Sequence, residues 1–223
     1  KRQQQWLDSN DLFAKMSVKE WDAEDWARMK ALMADAGDLI REIRRLAETG
    51  GPAYELDFSK GYAMELPHLA KLRDFERLLR NDALVQAHDG NIAEAVKDIV
   101  AGMKLSNVVK DEPILISQLV RCAMDSIAWQ TLQDCLPRDG VDGGLLQEII
   151  DYAGEYDARQ SFADSLTCEG ITGLDMFDRI RTGNGMEAFS GASSWERIGL
   201  ELYGSALARP LLNWDEAIYA DTM

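Results

Sequence analysis

The stretch that decides the fold is PHLAKLRDFERLLRNDALVQAHDGNIAEAVKDIVAGM, residues 67–103. Its apolar residues recur every three or four positions on both sides of Asp89-Gly90, which is the spacing of one face of an α-helix. Pro67 suits the first position of a helix, because its missing N–H would have no partner there. Two helices joined by so short a turn must pack antiparallel. The stretch therefore predicts a helical hairpin.

The helical period continues on both sides of this hairpin. The apolar spacing from Met29 to Leu46 predicts an amphipathic helix that ends near Gly50. Residues 114–136 are apolar on nearly every side, which predicts a central buried helix. No alternating run long enough for a convincing strand is present. We therefore expect an all-α fold of about seven to eight helices, built from antiparallel hairpins with no significant sheet.

Three short patterns predict where helices begin. In Ser17–Glu20 and in Asn91–Glu94, a residue that can accept from the first amides of a helix stands three positions before a glutamate. These spacings predict a capping box before the helix of Met29 and a similar cap on the second helix of the hairpin. The segment Asn213–Glu216 predicts a further helix start, where Trp214 is either a partner-binding anchor or part of the core.

We expect the chain to form a single helical domain over residues 1–223. Residues 1–65 supply N-terminal helices and an irregular loop, and residues 66–136 supply the hairpin and the buried helix. Residues 137–223 form acidic C-terminal helices. Within them, residues 182–194 are rich in glycine and poor in apolar side chains, which predicts a mobile loop.

Charge is distributed unevenly along the chain. The 39 acidic and 24 basic residues give a net charge of −15. The part up to Lys110 is nearly neutral, whereas the part after it has 20 acidic and only 7 basic residues. Nucleic-acid-binding proteins show the opposite balance, because lysine and arginine supply their affinity for phosphates. The charges argue against nucleic acid and favour a protein partner with a basic surface.

The cysteines and histidines predict no cofactor. Cys122, Cys135 and Cys168 have no CxxC spacing, and three cysteines cannot all pair within the chain. We expect them to be free thiols. His68 and His88 are expected on one helix, roughly 30 Å apart, so they cannot share a metal.

The turn of the hairpin resembles that of a tetratricopeptide repeat. The match covers about one repeat, from Leu78 to Pro113, with the turn at Asp89–Val96 and small residues at Ala95 and Gly102. In that repeat, small residues at such positions let two helices approach closely. The consensus aromatic residues are absent and no second copy follows at a period of about 34 residues. The resemblance therefore implies hairpin packing and not a repeat array.

Three blocks resemble a group of uncharacterised bacterial all-helical proteins: LDFSKG at residues 56–61, LPHL at 66–69 and LISQLVR at 115–121. Members of that group often carry an N-terminal hydrophobic anchor. The resemblance implies an exported, periplasmic or membrane-tethered parent chain and no particular activity. A start at Lys1 fits either a removed signal or anchor, which would be the only link to a membrane, or an arbitrary boundary.

Gln118, Arg121 and Asp125 form the first candidate site. Their spacing places them on neighbouring positions of the predicted buried helix. An arginine there needs a partner, because an unpaired buried charge is costly. Either Arg121 receives an anionic group from a ligand or partner, or it pairs with Asp125 while Gln118 satisfies a loop carbonyl.

Asp57, Ser59 and His68 form the second candidate site. They have the residue types of a hydrolytic triad, but Ser59 lacks the Gly-x-Ser-x-Gly turn that exposes a nucleophile. The alternative is a turn in which Asp57 and Ser59 cap the backbone before Pro67.

These observations favour a non-catalytic helical protein-interaction or scaffold domain whose acidic C-terminal half faces a basic partner. The alternative is a helical bundle that binds a small anionic ligand or a metal near Arg121 and Gln118.

Overall fold

The computed structural model of the chain describes residues 21–50, 54–136, 143–155, 157–182, 203, 205 and 209–223. These residues form helices and no strand, which confirms the prediction of an all-α fold of about seven to eight helices. The α-helices are α1 Ala23–Thr49, α2 Pro67–His88, α3 Ile92–Ser106, α4 Leu115–Cys135, α5 Gly143–Glu155, α6 Arg159–Arg181 and α7 Arg209–Thr222; 3-10 helices cover Phe58–Ala63 and Asn107–Val109.

The cap of α1 is an aspartate pair instead of the predicted Ser17–Glu20 box, whose residues lie outside the described ranges. The Asp22 carboxylate accepts the amides of Glu24 and Asp25 at 2.9 Å, and the Asp25 carboxylate accepts the Asp22 amide at 3.3 Å. The two carboxylates stand three positions apart, so they satisfy the free N–H groups of the first turn as a capping box does. At the other end, Gly50 takes a left-handed conformation with φ 74°.

The predicted hairpin is formed by α2 and α3. α2 begins at Pro67 and ends at His88, and Gly90 makes the turn with φ 82°. Asn91 stands at the N-cap of α3, as predicted, but its side chain does not make the predicted capping bond. Its side-chain amide instead turns back and donates to Gln86 Oε1 at 3.2 Å.

Contacts group the chain into two compact units. The first comprises residues 1–52, 70–108 and 120–156, and the second comprises 53–69, 109–119 and 157–223. The expectation of a single domain over residues 1–223 stays a prediction beside this grouping.

In the first unit, α3 is the most deeply buried helix that the structure describes. Ten of its fifteen residues are buried, and α1 packs on it with a stripe at helical spacing: Met29, Met33, Ala36, Ile40, Ile43 and Ala47. The central buried helix of the sequence prediction is thus α3 and not α4. On α4, Ile116 and Leu119 are 49% and 50% exposed, whereas its polar residues Ser117, Gln118, Arg121, Asp125 and Thr131 are buried.

In the second unit, α7 packs on α6. Leu212 is fully buried, and the Tyr219 hydroxyl donates to the Glu169 carbonyl at 2.9 Å. The Tyr219 ring lies over Gly173, where an added Cβ would come within 2.1 Å of it. α7 begins at Arg209, about one turn before the predicted start at Asn213. The predicted mobile loop 182–194, apart from Thr182 at the end of α6, lies outside the described residues.

Candidate functional site

Asp57 and Ser59 form a backbone cap and not part of a triad. The Asp57 carboxylate accepts both the Ser59 amide, at 3.2 Å, and the Ser59 hydroxyl, at 2.5 Å. These bonds lower the pKa of the Asp57 carboxyl, the hydroxyl bond most strongly. The turn begins the 3-10 helix at Phe58, and the Ser59 carbonyl accepts Arg179 Nη2 from α6 at 2.6 Å. The arrangement holds a turn against a helix of the same unit.

His68 lies in a different set of contacts. Its Nε2 is 2.9 Å from Glu112 Oε1, and its ring stacks on Tyr54 with centroids 4.1 Å apart. The Ser117 hydroxyl donates to the same Glu112 carboxylate at 2.6 Å. The Ser59 hydroxyl donates to Asp57 and the Ser117 hydroxyl to Glu112, so neither hydroxyl donates to the imidazole. The contacts agree with the capping turn, which was the alternative to a triad.

The side-chain amide of Gln118 is hydrogen-bonded to backbone carbonyls. Its Nε2 donates to the carbonyls of Val109, Lys110 and Glu112 at 3.0, 3.3 and 2.8 Å. The loop between α3 and α4 would otherwise leave the buried Val109 carbonyl without this donor. Gln118 thus satisfies loop carbonyls, which was one of the two alternatives drawn from the sequence.

Arg121 and Asp125 lie one turn apart on α4, in the first unit. Arg121 Nη2 donates to Asn107 Oδ1 at 2.9 Å. Asp125 Oδ1 accepts the hydroxyls of Ser106, at 2.6 Å, and Tyr152, at 3.0 Å. Burial comes first among the causes that raise the pKa of the Tyr152 phenol, which therefore stays a neutral donor. These bonds tie α4 to the end of α3 and to α5, and an anion-binding role for Arg121 stays a prediction.

A charged network that was not recognised in the sequence connects α1 to the hairpin. Arg44 Nε donates to Asp98 Oδ1 at 2.6 Å, and its Nη1 donates to Glu94 at 3.0 Å. Asp82 lies 3.5 Å from the same guanidinium. Asp98 is fully buried, and this burial raises the pKa of its carboxyl to about 7 despite the arginine. The network joins residues about 50 positions apart, so no local pattern reveals it.

Glu76 is a second buried carboxyl. It lies on α2 directly over Gly102 of α3, where an added Cβ would be 2.5 Å from Oε1 and 2.6 Å from Oε2. Its side chain is 2% exposed, and Oε2 has no hydrogen-bond partner among the described residues. Burial, and then the nearby charges of Asp125 and Asp98, raise the Glu76 pKa to about 8. The carboxyl is therefore protonated at neutral pH, which makes its burial tolerable.

A cavity of about 410 Å³ lies between α1 and α2. Two ion pairs line it, Lys30 with Asp89 and Arg44 with Asp82. Gly37 also lines it, and only Arg41 comes within 4 Å of a Cβ added there. Because these charged groups already pair with each other, we assign the cavity no ligand.

The described residues show neither a cluster of metal ligands nor a helix that could span a membrane. None of their histidines, cysteines and acids group as three ligands that could hold a metal ion. The cysteines Cys122, Cys135 and Cys168 are free thiols. Within the described helices, no segment is long and apolar enough to cross a bilayer.

The surface of α6 and α7 is acidic. Exposed carboxylates occur along both helices: Asp164, Asp175, Asp178, Asp215 and Asp221. Of the four arginines, Arg159 and Arg209 are exposed. The other two are half-buried: Arg179 bonds to Asp175 and to the Ser59 carbonyl, and Arg181 bonds to Asp178 and to Glu216 of α7. Carboxylates therefore predominate among the charges that α6 and α7 present to solvent.

No family model, curated protein or solved structure matches this chain.

Proposed function

We propose that this chain is a non-catalytic helical protein-interaction or scaffold domain whose acidic C-terminal half binds a partner with a basic surface. The observation that carries the proposal is the exposed acidic surface of α6 and α7. These two helices hold seven acidic residues against four arginines, and five of the seven are exposed, where their charge can act on another molecule.

The candidate sites support this proposal over catalysis or small-ligand binding. Ser59 donates to Asp57 and His68 bonds to Glu112, which supports structural roles for both side chains. Gln118 is bonded to three loop carbonyls and Arg121 to Asn107. These side chains stabilise the helical scaffold that presents the acidic surface.

We also propose a cellular location for the parent protein and a type for its helical hairpin. The blocks at 56–61, 66–69 and 115–121 support an exported or membrane-tethered bacterial parent protein. The close approach of α2 and α3 at Gly102 supports a hairpin of the tetratricopeptide type. A hydrophobic segment encoded upstream of Lys1 would support the location, and a cytoplasmic fraction containing all of the native protein would contradict it.

The test of function is a binding measurement over a range of salt concentrations. Proteins cross-linked to the native domain are identified and purified, and each affinity is measured between about 50 and about 300 mM NaCl. We expect a partner with a basic surface whose affinity falls at least about tenfold over this range. A specific partner that is acidic, or that binds equally at both salt concentrations, contradicts the proposal.

A further inference from the structure

Helix α7 has two apolar faces, of which only one is covered. Leu212 and Tyr219 form the inner face, which packs on α6. On another face, Leu211, Trp214 and Ile218 are 56%, 64% and 46% exposed. Their spacing of three and four residues places them within about 60° of one another around the helix axis. They form a continuous strip, here called the α7 stripe.

The α7 stripe differs from the scattered exposed apolar residues that any protein surface shows. Isolated exposed leucines are ordinary, whereas a contiguous apolar patch rimmed by polar groups is typical of an interaction site. Tryptophan is the residue most enriched among the anchors that dominate binding energy. Because α7 is already anchored through Leu212 and Tyr219, its fold does not require a tryptophan at position 214.

The charged residues beside the α7 stripe indicate which class of partner it binds. Asp215 and Asp221 are exposed and lie on opposite sides of the α7 stripe around the helix axis. Asp215 also accepts the Tyr203 hydroxyl and remains exposed. Two copies of such a stripe would bring aspartates together, so their repulsion disfavours self-association. A partner with lysine or arginine beside its apolar residues would instead pair with both borders.

We propose that the α7 stripe, bordered by Asp215 and Asp221, docks an amphipathic helix that carries apolar side chains flanked by lysine or arginine. This inference rests on the proposed function and names its partner class. The stripe is about 10 Å long, which matches two turns of a partner helix with apolar residues at positions i, i+3 and i+7. The α7 stripe is smaller than a standard stable protein–protein interface, and we therefore expect it to bind its partner with micromolar affinity.

The experiment uses the full chain and a fluorescein-labelled model peptide of leucine and lysine with helical period. A scrambled peptide of the same composition is the control for charge alone. Trp214→Ala is compared with Ile150→Ala, which changes an exposed aliphatic side chain on α5. We expect Trp214→Ala to weaken peptide binding at least about tenfold and Ile150→Ala to leave it within about twofold. Circular dichroism should show equal helix content and melting temperature for both variants.

The borders of the stripe are tested in the same assay. Replacing Asp215 and Asp221 by asparagine should reduce the loss of affinity between about 50 and about 300 mM NaCl. Equal binding of the two peptides, no binding of the amphipathic one at low salt, or full binding by Trp214→Ala overturns the docking inference. A dimer of the native chain that Trp214→Ala dissociates also overturns it, since a second copy then fills the stripe. The proposed function fails separately, by salt-independent binding of its natural partner.

Discussion

Replacing Glu76 by glutamine changes the protonation behaviour of the first unit while keeping the shape of the side chain. The Glu76 carboxyl is 2% exposed, and its pKa is raised from 4.5 to about 8 by burial and by Asp125 and Asp98. The folded chain therefore holds a proton that the unfolded chain releases above pH about 4.5. This contribution to stability is complete at low pH, falls as the pH rises from about 4.5 to about 8, and then levels off.

The size of the effect follows from the difference between the folded and unfolded pKa of Glu76. A tenfold change in proton affinity corresponds to about 1.4 kcal/mol, so the native protein loses up to several kcal/mol of unfolding free energy over this interval. Glutamine does not titrate and donates as a protonated carboxyl does. We expect Glu76→Gln to match the native protein near pH 5 and to exceed it by about 2 to 4 kcal/mol near pH 8.

Urea unfolding at several values between pH about 5 and about 8, followed by circular dichroism, measures the difference. Asp74→Asn on the same helix is the control, because the Asp74 carboxylate is largely exposed and pairs only loosely with Arg77 at 3.3 Å. Its stability should follow that of the native protein at every pH. Parallel native and Glu76→Gln profiles, or a less stable glutamine variant near pH 8, would refute a neutral buried Glu76.

Two further changes test how the units are held together internally. Gly173→Ala places a Cβ within 2.1 Å of the Tyr219 ring, which should destabilise the packing of α7 by about 1 to 3 kcal/mol. The rate of hydrogen exchange in α7 should therefore rise at least about tenfold. The control Gly170→Ala, on the same helix, should leave this exchange rate unchanged. Arg44→Ala leaves Asp98 buried without its 2.6 Å partner and should cost about 2 to 3 kcal/mol in urea unfolding. The control Arg45→Ala removes an exposed ion pair with Glu42 and should lower the unfolding free energy by under about 0.5 kcal/mol. Equal losses of unfolding free energy in the two arginine variants would contradict a stabilising role for the Arg44 network.

The hairpin could be predicted because its determinants are local. The apolar period of α2 and α3, Pro67 at the start and Gly90 at the turn are all read within a few residues. The start of α1 differs from the prediction because Asp22 and Asp25 form the cap with the same three-residue spacing but with residue types outside the serine-glutamate pattern. The sequence also indicates that Glu76 is buried, because it falls four residues after Leu72 and so lies on the apolar face of α2.

The burial of α4 could not be predicted from its composition. When a helix is apolar on most sides, its sequence does not indicate which face is buried. The packing of other segments then determines which residues are covered. Here Gln118 is buried because loop carbonyls lie against it, whereas Leu119 next to it is half exposed. The Arg44 network and the fit of Tyr219 on Gly173 are likewise long-range, so they emerge only from the folded chain.

The central claim, that the acidic C-terminal half binds a basic partner, is tested most directly by hydrogen exchange of the full chain with and without the leucine-lysine peptide. We expect slower exchange in α7, over Arg209–Thr222, and loss of this protection in Trp214→Ala. Protection confined to residues before Lys110 would contradict the central claim, whereas protection of α7 that Trp214→Ala leaves unchanged would contradict only docking on the α7 stripe.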